Sequence, residues 1–127
     1  MNILEKRILV VDDSAMIRRY LSSILTGAGY AVEGAITGGE GIEKALATSF
    51  DLLLVDINMP VMNGYAMVAA LRKEPATQSV PVIMSSTESK DQDASQAYAC
   101  GANLFMVKPV EPDILKQYVK LVAGDII

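Results

Sequence analysis

The sequence predicts an α/β fold, a parallel five-stranded sheet covered by helices on both faces. Strand-like and helix-like segments alternate five times along the 127 residues, and such alternation is typical of parallel sheets joined by right-handed crossovers. Three uninterrupted apolar runs have the length of strands that are buried on both faces. Polar residues follow each run directly, as expected where parallel strands deliver side chains to one edge of a sheet. The runs are Ile8–Val11, Leu52–Val55 and Val80–Met84.

The first run leads into an amphipathic helix. Ser14 is a suitable N-cap, and Gly27 marks the end of the helix. Residues 30–35 alternate only loosely between apolar and polar side chains, which favours an edge strand. Helical spacing predicts a buried stripe on the first helix formed by Met16, Ile17, Tyr20, Leu21, Ile24 and Leu25.

The middle of the chain predicts two further helices around the third strand. Thr37 can cap a helix that extends to about Thr48, and Asp51–Asp56 forms the strand. Residues 58–64 are dense in turn signals, and a short helix follows that ends before Pro75. The inward-facing residues predicted for these helices are Ile42, Ala45, Leu46, Tyr65, Met67, Val68 and Leu71.

The last third predicts two strands and two helices. Val80–Met84 is the fourth strand, and Ser89 can cap the helix that follows it. Asn103–Val107 is the fifth strand, and the acids of Glu111–Asp113 suit the first turn of a final helix. The apolar face predicted for that helix is Ile114, Leu115, Tyr118, Val119 and Val122.

The purity of the apolar runs predicts the strand order. The first, third and fourth strands are the most apolar and belong in the centre, whereas the second and fifth are mixed and belong at the edges. The order 2-1-3-4-5 satisfies this and is the flavodoxin-like order of doubly wound sheets. The length suits one domain, so residues 1–127 are predicted to form a single unit.

Composition excludes several functions. The net charge of −4 disfavours nucleic-acid binding. The absence of histidine excludes zinc sites that use histidine, a Ser-His-Asp triad and a histidine phosphodonor on this chain. A lone cysteine, Cys100, allows no internal disulfide and fits the cytoplasm. No apolar run approaches the roughly 20 residues that a membrane helix needs.

Charged and hydroxyl residues follow four of the five predicted strands. They are expected to meet at the carboxyl edge of the sheet, beside the point where strand order reverses. Three carboxylates in one cleft would repel one another, and Mg²⁺ is a suitable counter-ion. A lysine and a hydroxyl beside them would stabilise a phosphoryl group. The residues are Asp12, Asp13, Asp56, Ser86 and Lys108.

Each of these residues also has a simpler interpretation. An acid after a strand can cap a helix or occupy a turn, a serine can satisfy backbone groups, and a lysine is commonly solvated. Their convergence on one edge favours the site over these alternatives.

The motifs of the chain resemble the receiver domain of bacterial two-component response regulators over Arg7–Val122, most closely the small chemotaxis-type regulators. The matching segments are Val10–Asp13, Asp56–Pro60, Met62–Gly64, Pro81–Met84 with Ser86, and Lys108–Pro109.

The resemblance implies a role for each acid. Asp56 would be the nucleophile that takes a phosphoryl group from a phosphohistidine of a partner kinase. Asp13 would bind Mg²⁺ directly, Asp12 partly through water, and Asn58 through its backbone carbonyl. Asn58 and Glu88 occupy positions that would tune the lifetime of the phosphoryl group, and Asn63 stands where the family often has Asp.

The resemblance also implies roles for residues on the fourth and fifth strands. Lys108 would pair with one phosphoryl oxygen, Ser86 would hydrogen-bond another, and the Lys108–Pro109 bond would be cis. Phe105 would be a switch aromatic that turns inward when Ser86 moves. Thr87 departs from the small residue usual at its position, so access to Asp56 is expected to be narrower.

The expected function is that of a stand-alone receiver without an output domain, which signals by docking a target protein. The docking surface would be the fourth helix, fifth strand and fifth helix, including Tyr98, Phe105 and Tyr118. The chain would not be an enzyme acting on a separate substrate, although it would catalyse its own phosphorylation and dephosphorylation.

Three alternatives remain from the sequence. A metal-dependent phosphohydrolase would need a second Asp where Asn58 stands. A flavin mononucleotide binder would place its phosphate where Asp12 and Asp13 repel it. A phosphorylation-independent interaction module is the strongest rival, because of Thr87.

Overall fold

The computed structural model describes residues 5–87 and 91–124. It contains one parallel sheet in the order β2-β1-β3-β4-β5, which confirms the predicted fold class and strand order. The strands are β1 Arg7–Val11, β2 Ala31–Ala35, β3 Leu52–Asp56, β4 Val82–Ser86 and β5 Leu104–Val107. The helices are α1 Ala15–Gly27, α2 Gly38–Ala47, α3 Gly64–Arg72, α4 Asp91–Cys100 and α5 Pro112–Ala123. No helix within the described ranges is long and apolar enough to cross a membrane.

The sheet separates two apolar cores because successive side chains of a strand point to opposite faces. Leu9 of β1 packs with residues of α2, α3 and α4, whereas Ile8 packs with residues of α1 and α5. Every residue of β3 is buried, as expected for the central strand. The edge strand β2 has one buried residue, Ala35.

The register of the sheet aligns the carboxyl ends of the strands. Val11 pairs with Val55, Asp56 pairs with Ser85, and Ser86 pairs with Val107. Asp12 and Lys108 follow directly after β1 and β5, so both begin at the same edge of the sheet as Asp56.

In the part of the chain that the structure describes, side chains cap three helices. The Ser14 and Thr37 side chains accept hydrogen bonds from the N–H groups of residues three positions later, which confirms both predicted caps. Asn63 caps α3 in the same way, since its Oδ1 accepts from the N–H of Ala66 at 2.9 Å. The predicted cap Ser89, and Glu88, lie outside the described residues.

The predicted limits of β4 were wrong by two residues. The strand covers Val82–Ser86 rather than residues 80–84. Pro81 has no N–H to donate to a ladder, although its carbonyl accepts a hydrogen bond from Leu53. At its other end the strand extends to Ser86, because Ser85 and Ser86 pair with Met106 and Val107 of β5.

Four residues predicted to face inward are exposed. Met16 is 75% exposed, Tyr20 41%, Leu46 44% and Ile114 40%. Consecutive helical residues point about 100° apart. Leu46 and Ile114 each neighbour the residue that does enter the core, Ala45 and Leu115 respectively, so they lie at the margin of the buried stripe.

Gly64 is required by close packing behind the candidate site. A Cβ atom at this position would lie 2.5 Å from the carbonyl oxygen of Asp56 and 2.9 Å from Cα of Ile57. We expect Gly64→Ala to lower the free energy of unfolding by roughly 1–3 kcal/mol, because backbone must move to relieve the contact. Urea denaturation measures the change.

Gly27→Ala is the matched control, since nothing lies within 4 Å of the added Cβ in the last turn of α1. This variant should be neutral or more stable by up to about 1 kcal/mol. Equal stability of Gly64→Ala and the wild type would contradict the packing argument.

Candidate functional site

A buried ion-pair network joins three strand ends at the carboxyl edge. Lys108 Nζ donates to Asp12 Oδ2 at 2.7 Å and to Asp56 Oδ1 at 3.0 Å. The lysine side chain is only 10% exposed, and the two carboxylates are 3% and 6% exposed. Charges this deeply buried need a partner, so the lysine holds both acids in place. The sequence predicted this convergence.

Three carboxylates form a cluster suited to a hard cation. Asp12, Asp13 and Asp56 each offer an oxygen, and these oxygens lie within 4.8 Å of one another. Both oxygens of Asp12 are already engaged, since Oδ1 accepts from the Ser14 N–H at 2.9 Å and Oδ2 from Lys108. Asp13 is exposed at the entrance. An all-oxygen donor set of this kind fits Mg²⁺ with several retained waters.

Burial and pairing shift the protonation equilibria of two groups. Burial raises the pKa of Asp56, and the hydrogen bond from Lys108 opposes this rise without cancelling it. Burial alone would lower the pKa of Lys108, but its hydrogen bonds to Asp12 and Asp56 and the negative charges of the two acids together outweigh burial and raise the pKa. The lysine therefore remains charged at neutral pH. In the metal-free site, the ionised carboxylate of Asp56 lowers the stability of the folded protein.

Ser86 is buried beneath the side chain of Asn58. The Asn58 Nδ2 group donates to Ser86 Oγ at 3.1 Å, and Ser86 is 1% exposed. The backbone N–H of Asn58 also lies 3.4 Å from Asp56 Oδ1. Asn58 thus contacts both the strand-three acid and the strand-four hydroxyl, a side-chain contact that sequence reasoning did not predict.

Thr87 stands at the mouth of an open cleft rather than over its floor. The residue is exposed and lines a cleft of about 450 Å³ above Asp56. Ser86, which is 1% exposed, is not among the described residues that line the cleft. The cleft is lined by Asp12, Asp13, Ser14, Ile17, Asp56, Asn58, Thr87, Lys108 and Pro109.

An apolar groove of about 310 Å³ adjoins the cleft. The two share Ile17, Lys108 and Pro109. The Tyr20 hydroxyl closes one side of the groove by donating to the carbonyl of Val110 at 2.8 Å. The Lys108–Pro109 peptide bond is cis, as the resemblance implied.

The predicted switch and docking residues lie away from the cluster. Phe105 is half-buried on β5 and packs against the core beneath α3 and α4. Tyr98 on α4 is 48% exposed, and Tyr118 on α5 is partly buried against the opposite core.

Arg18 is a contact of the site that sequence reasoning missed. Its Nη1 group donates to the backbone carbonyl of Asp12 at 2.7 Å. The sequence did offer one indication of this contact. Arg18 has a long side chain with several donors, lies off the apolar stripe of α1, and follows the loop that carries the acids by about one helical turn.

Comparison with known proteins establishes the family. Residues 8–120 match the response regulator receiver domain, and the chain belongs to that family. The chain is a CheY-like receiver domain of two-component systems. It is 34% identical to chemotaxis protein CheY1 of Helicobacter pylori over 122 residues, which cover 93% of this chain and 97% of CheY1.

Two further relatives support this assignment. The chain is 37% identical to the transcriptional regulatory protein ResD of Bacillus subtilis, covering 85% of this chain but only 44% of ResD. The crystal structure of chemotaxis protein CheY4 of Vibrio cholerae superposes with a TM-score of 0.88 at 37% identity, covering 93% of this chain and 98% of CheY4.

The raised pKa of Asp56 predicts a pH-dependent stability effect. A carboxyl whose folded pKa lies above its unfolded value lowers stability as the pH rises through those values. We expect metal-free Asp56→Asn, which cannot ionise, to have a higher free energy of unfolding than the wild type at pH 7. The difference should shrink as the pH falls through the raised pKa of Asp56 toward the ordinary carboxyl value of 3.8, where little of it should remain.

Urea denaturation with a chelator at several pH values measures this effect. Asp113→Asn removes an exposed acid from the first turn of α5 and should give no comparable gain. A pH-independent difference, or a loss of stability at pH 7, would show that burial does not govern Asp56.

Proposed function

We propose that this protein accepts a phosphoryl group on Asp56 from the phosphohistidine of a partner histidine kinase, in a Mg²⁺-dependent reaction. The observation that carries the proposal is the placement of Asp56 on the floor of an open cleft, between Lys108 and two further acids. Membership in the receiver family supports it.

The contacts of Asp56 favour one of its oxygens as the nucleophile. Among the described residues, both hydrogen bonds to this carboxylate end on Oδ1, from Lys108 and from the Asn58 N–H. Oδ2 is then the oxygen that attacks phosphorus. The P–N bond of the phosphohistidine breaks, and the departing imidazole keeps the electron pair and takes a proton from solvent.

The other site residues would neutralise the charge of the phosphoryl group and hold it in position. Mg²⁺ held by Asp13, Asp56, the Asn58 carbonyl and a water on Asp12 would neutralise the phosphoryl oxygens. Lys108 would exchange a carboxylate for a phosphoryl oxygen. Ser86 would move toward another phosphoryl oxygen, which requires it to rearrange its contact with Asn58.

Phosphorylation would then bias an equilibrium between two conformations. In the second conformation Phe105 turns inward and a target protein docks on α4, β5 and α5. Apolar side chains on this face support a docking role, since Tyr98 is 48% exposed, Val107 42% and Ile114 40%. The apolar groove beside the cleft supports a protein as the phosphodonor, because it extends the contact surface beyond the reacting group.

The same proposal includes the organisation of the protein. Residues 1–127 form a single receiver domain, and this domain works in the cytoplasm. The acidic cluster and Lys108 are both in place, so the site favours this function over a phosphorylation-independent interaction module.

Replacing the nucleophile tests the proposal. We expect Asp56→Ala to abolish labelling by acetyl phosphate with Mg²⁺, because the attacking oxygen is lost. Intact-protein mass spectrometry measures the fraction labelled. Asp113→Ala, which removes an exposed acid on α5, should label like the wild type. Labelling of Asp56→Ala at wild-type stoichiometry would reject Asp56 as the acceptor.

Shortening the residue at the cleft mouth tests the effect of Thr87. Thr87→Ala widens the entrance to Asp56, so we expect acetyl phosphate to label it faster and the phosphoryl group to be lost faster. The rate constant of labelling is measured during incubation with acetyl phosphate. The rate constant of phosphoryl loss is measured after the excess acetyl phosphate has been removed. Thr26→Ala, an exposed threonine near the end of α1, should leave both unchanged. Unchanged rates in Thr87→Ala would show that Thr87 does not restrict access.

A further inference from the structure

We propose that Arg18 is a positioning residue for the metal-binding acids, acting through the backbone of Asp12. The inference rests on the proposed function, because it concerns how the chain presents its carboxylates to Mg²⁺. It adds a residue on α1 that none of the roles above includes.

The backbone on both sides of Asp12 is fixed by hydrogen bonds. The Asp12 N–H donates to the carbonyl of Ala35 at 3.1 Å, which continues the β1–β2 pairing. The Asp12 carbonyl accepts from Arg18 Nη1 at 2.7 Å. This carbonyl belongs to the peptide that joins Asp12 to Asp13. The arginine therefore fixes the plane of that peptide, and with it the direction in which the Asp13 side chain leaves the backbone.

Asp13 needs such support more than the other two acids. Lys108 holds the side chains of Asp12 and Asp56 directly, whereas Asp13 is exposed at the cleft entrance. Its carboxylate must stay near that of Asp56 for the two to share one cation. Groups that orient metal ligands from behind are a general requirement of metal sites.

The guanidinium of Arg18 is itself held by its surroundings. Its stem lies across Gly34 of β2, where an added Cβ would be 3.4 Å from Arg18 Cδ. The charge of Arg18 also adds a small contribution to the lowered pKa of Glu40 on α2, which comes mainly from the hydrogen bond of the Ile36 N–H and from Lys44. A side chain confined in this way loses little entropy when it binds the carbonyl.

The positive charge of Arg18 and its hydrogen bond to the backbone have opposite expected effects on Mg²⁺ affinity. A cation near the site repels Mg²⁺, so the loss of its charge alone would tighten binding. The loss of the hydrogen bond would let the Asp12–Asp13 peptide turn and would weaken binding. The sign of the change therefore separates the two roles.

The test is a Mg²⁺ titration of the full chain, followed by backbone amide NMR signals. Arg18→Met keeps the stem and removes the donor, and we expect its dissociation constant to rise about tenfold. Arg18→Lys keeps the charge with a shorter donor and should fall between this variant and the wild type. Arg19→Met removes the neighbouring exposed arginine and should bind like the wild type.

A second readout separates positioning from a general loss of structure. The Mg²⁺ concentration that half-saturates acetyl phosphate labelling should rise in Arg18→Met by the same factor. The labelling rate at saturating Mg²⁺ should stay near that of the wild type. If Arg18→Met does not fold, the Mg²⁺ affinity of Arg18→Lys is the test. Weaker Mg²⁺ binding than in the wild type supports the inference, and unchanged Mg²⁺ binding overturns it.

Each failure points to a different conclusion. Wild-type affinity, or tighter binding, in Arg18→Met overturns the positioning role alone. Absence of Mg²⁺ binding in the wild type and in Arg19→Met contradicts the proposed function, and the inference fails with it.

Discussion

The rest of the site depends on the ammonium of Lys108, which joins two buried carboxylates from different strands. β4 lies between β5 and β3 in the sheet, so the lysine side chain has to extend across the end of β4 to reach Asp56. Two buried carboxylates without this cation would repel each other and lose their solvation. The strand order and the register bring the three strand ends close enough for this contact.

The positive charge of one lysine does not balance the negative charges of three acids, and this excess of negative charge is the basis of the proposed chemistry. Asp13 remains outside the ion-pair network, and burial keeps the pKa of Asp56 raised despite its lysine partner. A divalent cation would relieve the repulsion, and a phosphoryl group would then offer the cation and the lysine new oxygens to bind. The Asn58–Ser86 hydrogen bond sets the starting point for any movement of the hydroxyl.

The sequence predicted what depends on repeating patterns. Uninterrupted apolar runs identified the central strands. The residues at the carboxyl ends of the first, third and fifth strands located Asp12, Asp56 and Lys108 at one edge. Patterns failed where a local contact decides. Pairing with β5 extends β4 to Ser86, and the strand begins only after Pro81. Leu46 lies just outside the buried stripe of its helix.

The side-chain contacts around the acids were beyond prediction for a different reason. Arg18 and Asn58 act through particular rotamers, and their partners are 6 and 28 positions away in the chain. No residue spacing specifies which of several nearby acceptors a long or branched polar side chain selects. Asn63 is an intermediate case, because Asn is a common N-cap and its contact is local.

The central claim is that Asp56, Lys108 and a bound Mg²⁺ together hold a phosphoryl group. A ¹⁹F NMR titration with beryllium fluoride, a phosphoryl mimic, tests it most directly. The account predicts protein-bound fluoride signals that appear only when Mg²⁺ is present and that vanish when a chelator is added. Absence of bound fluoride at every Mg²⁺ concentration, or bound fluoride independent of Mg²⁺, would contradict the account.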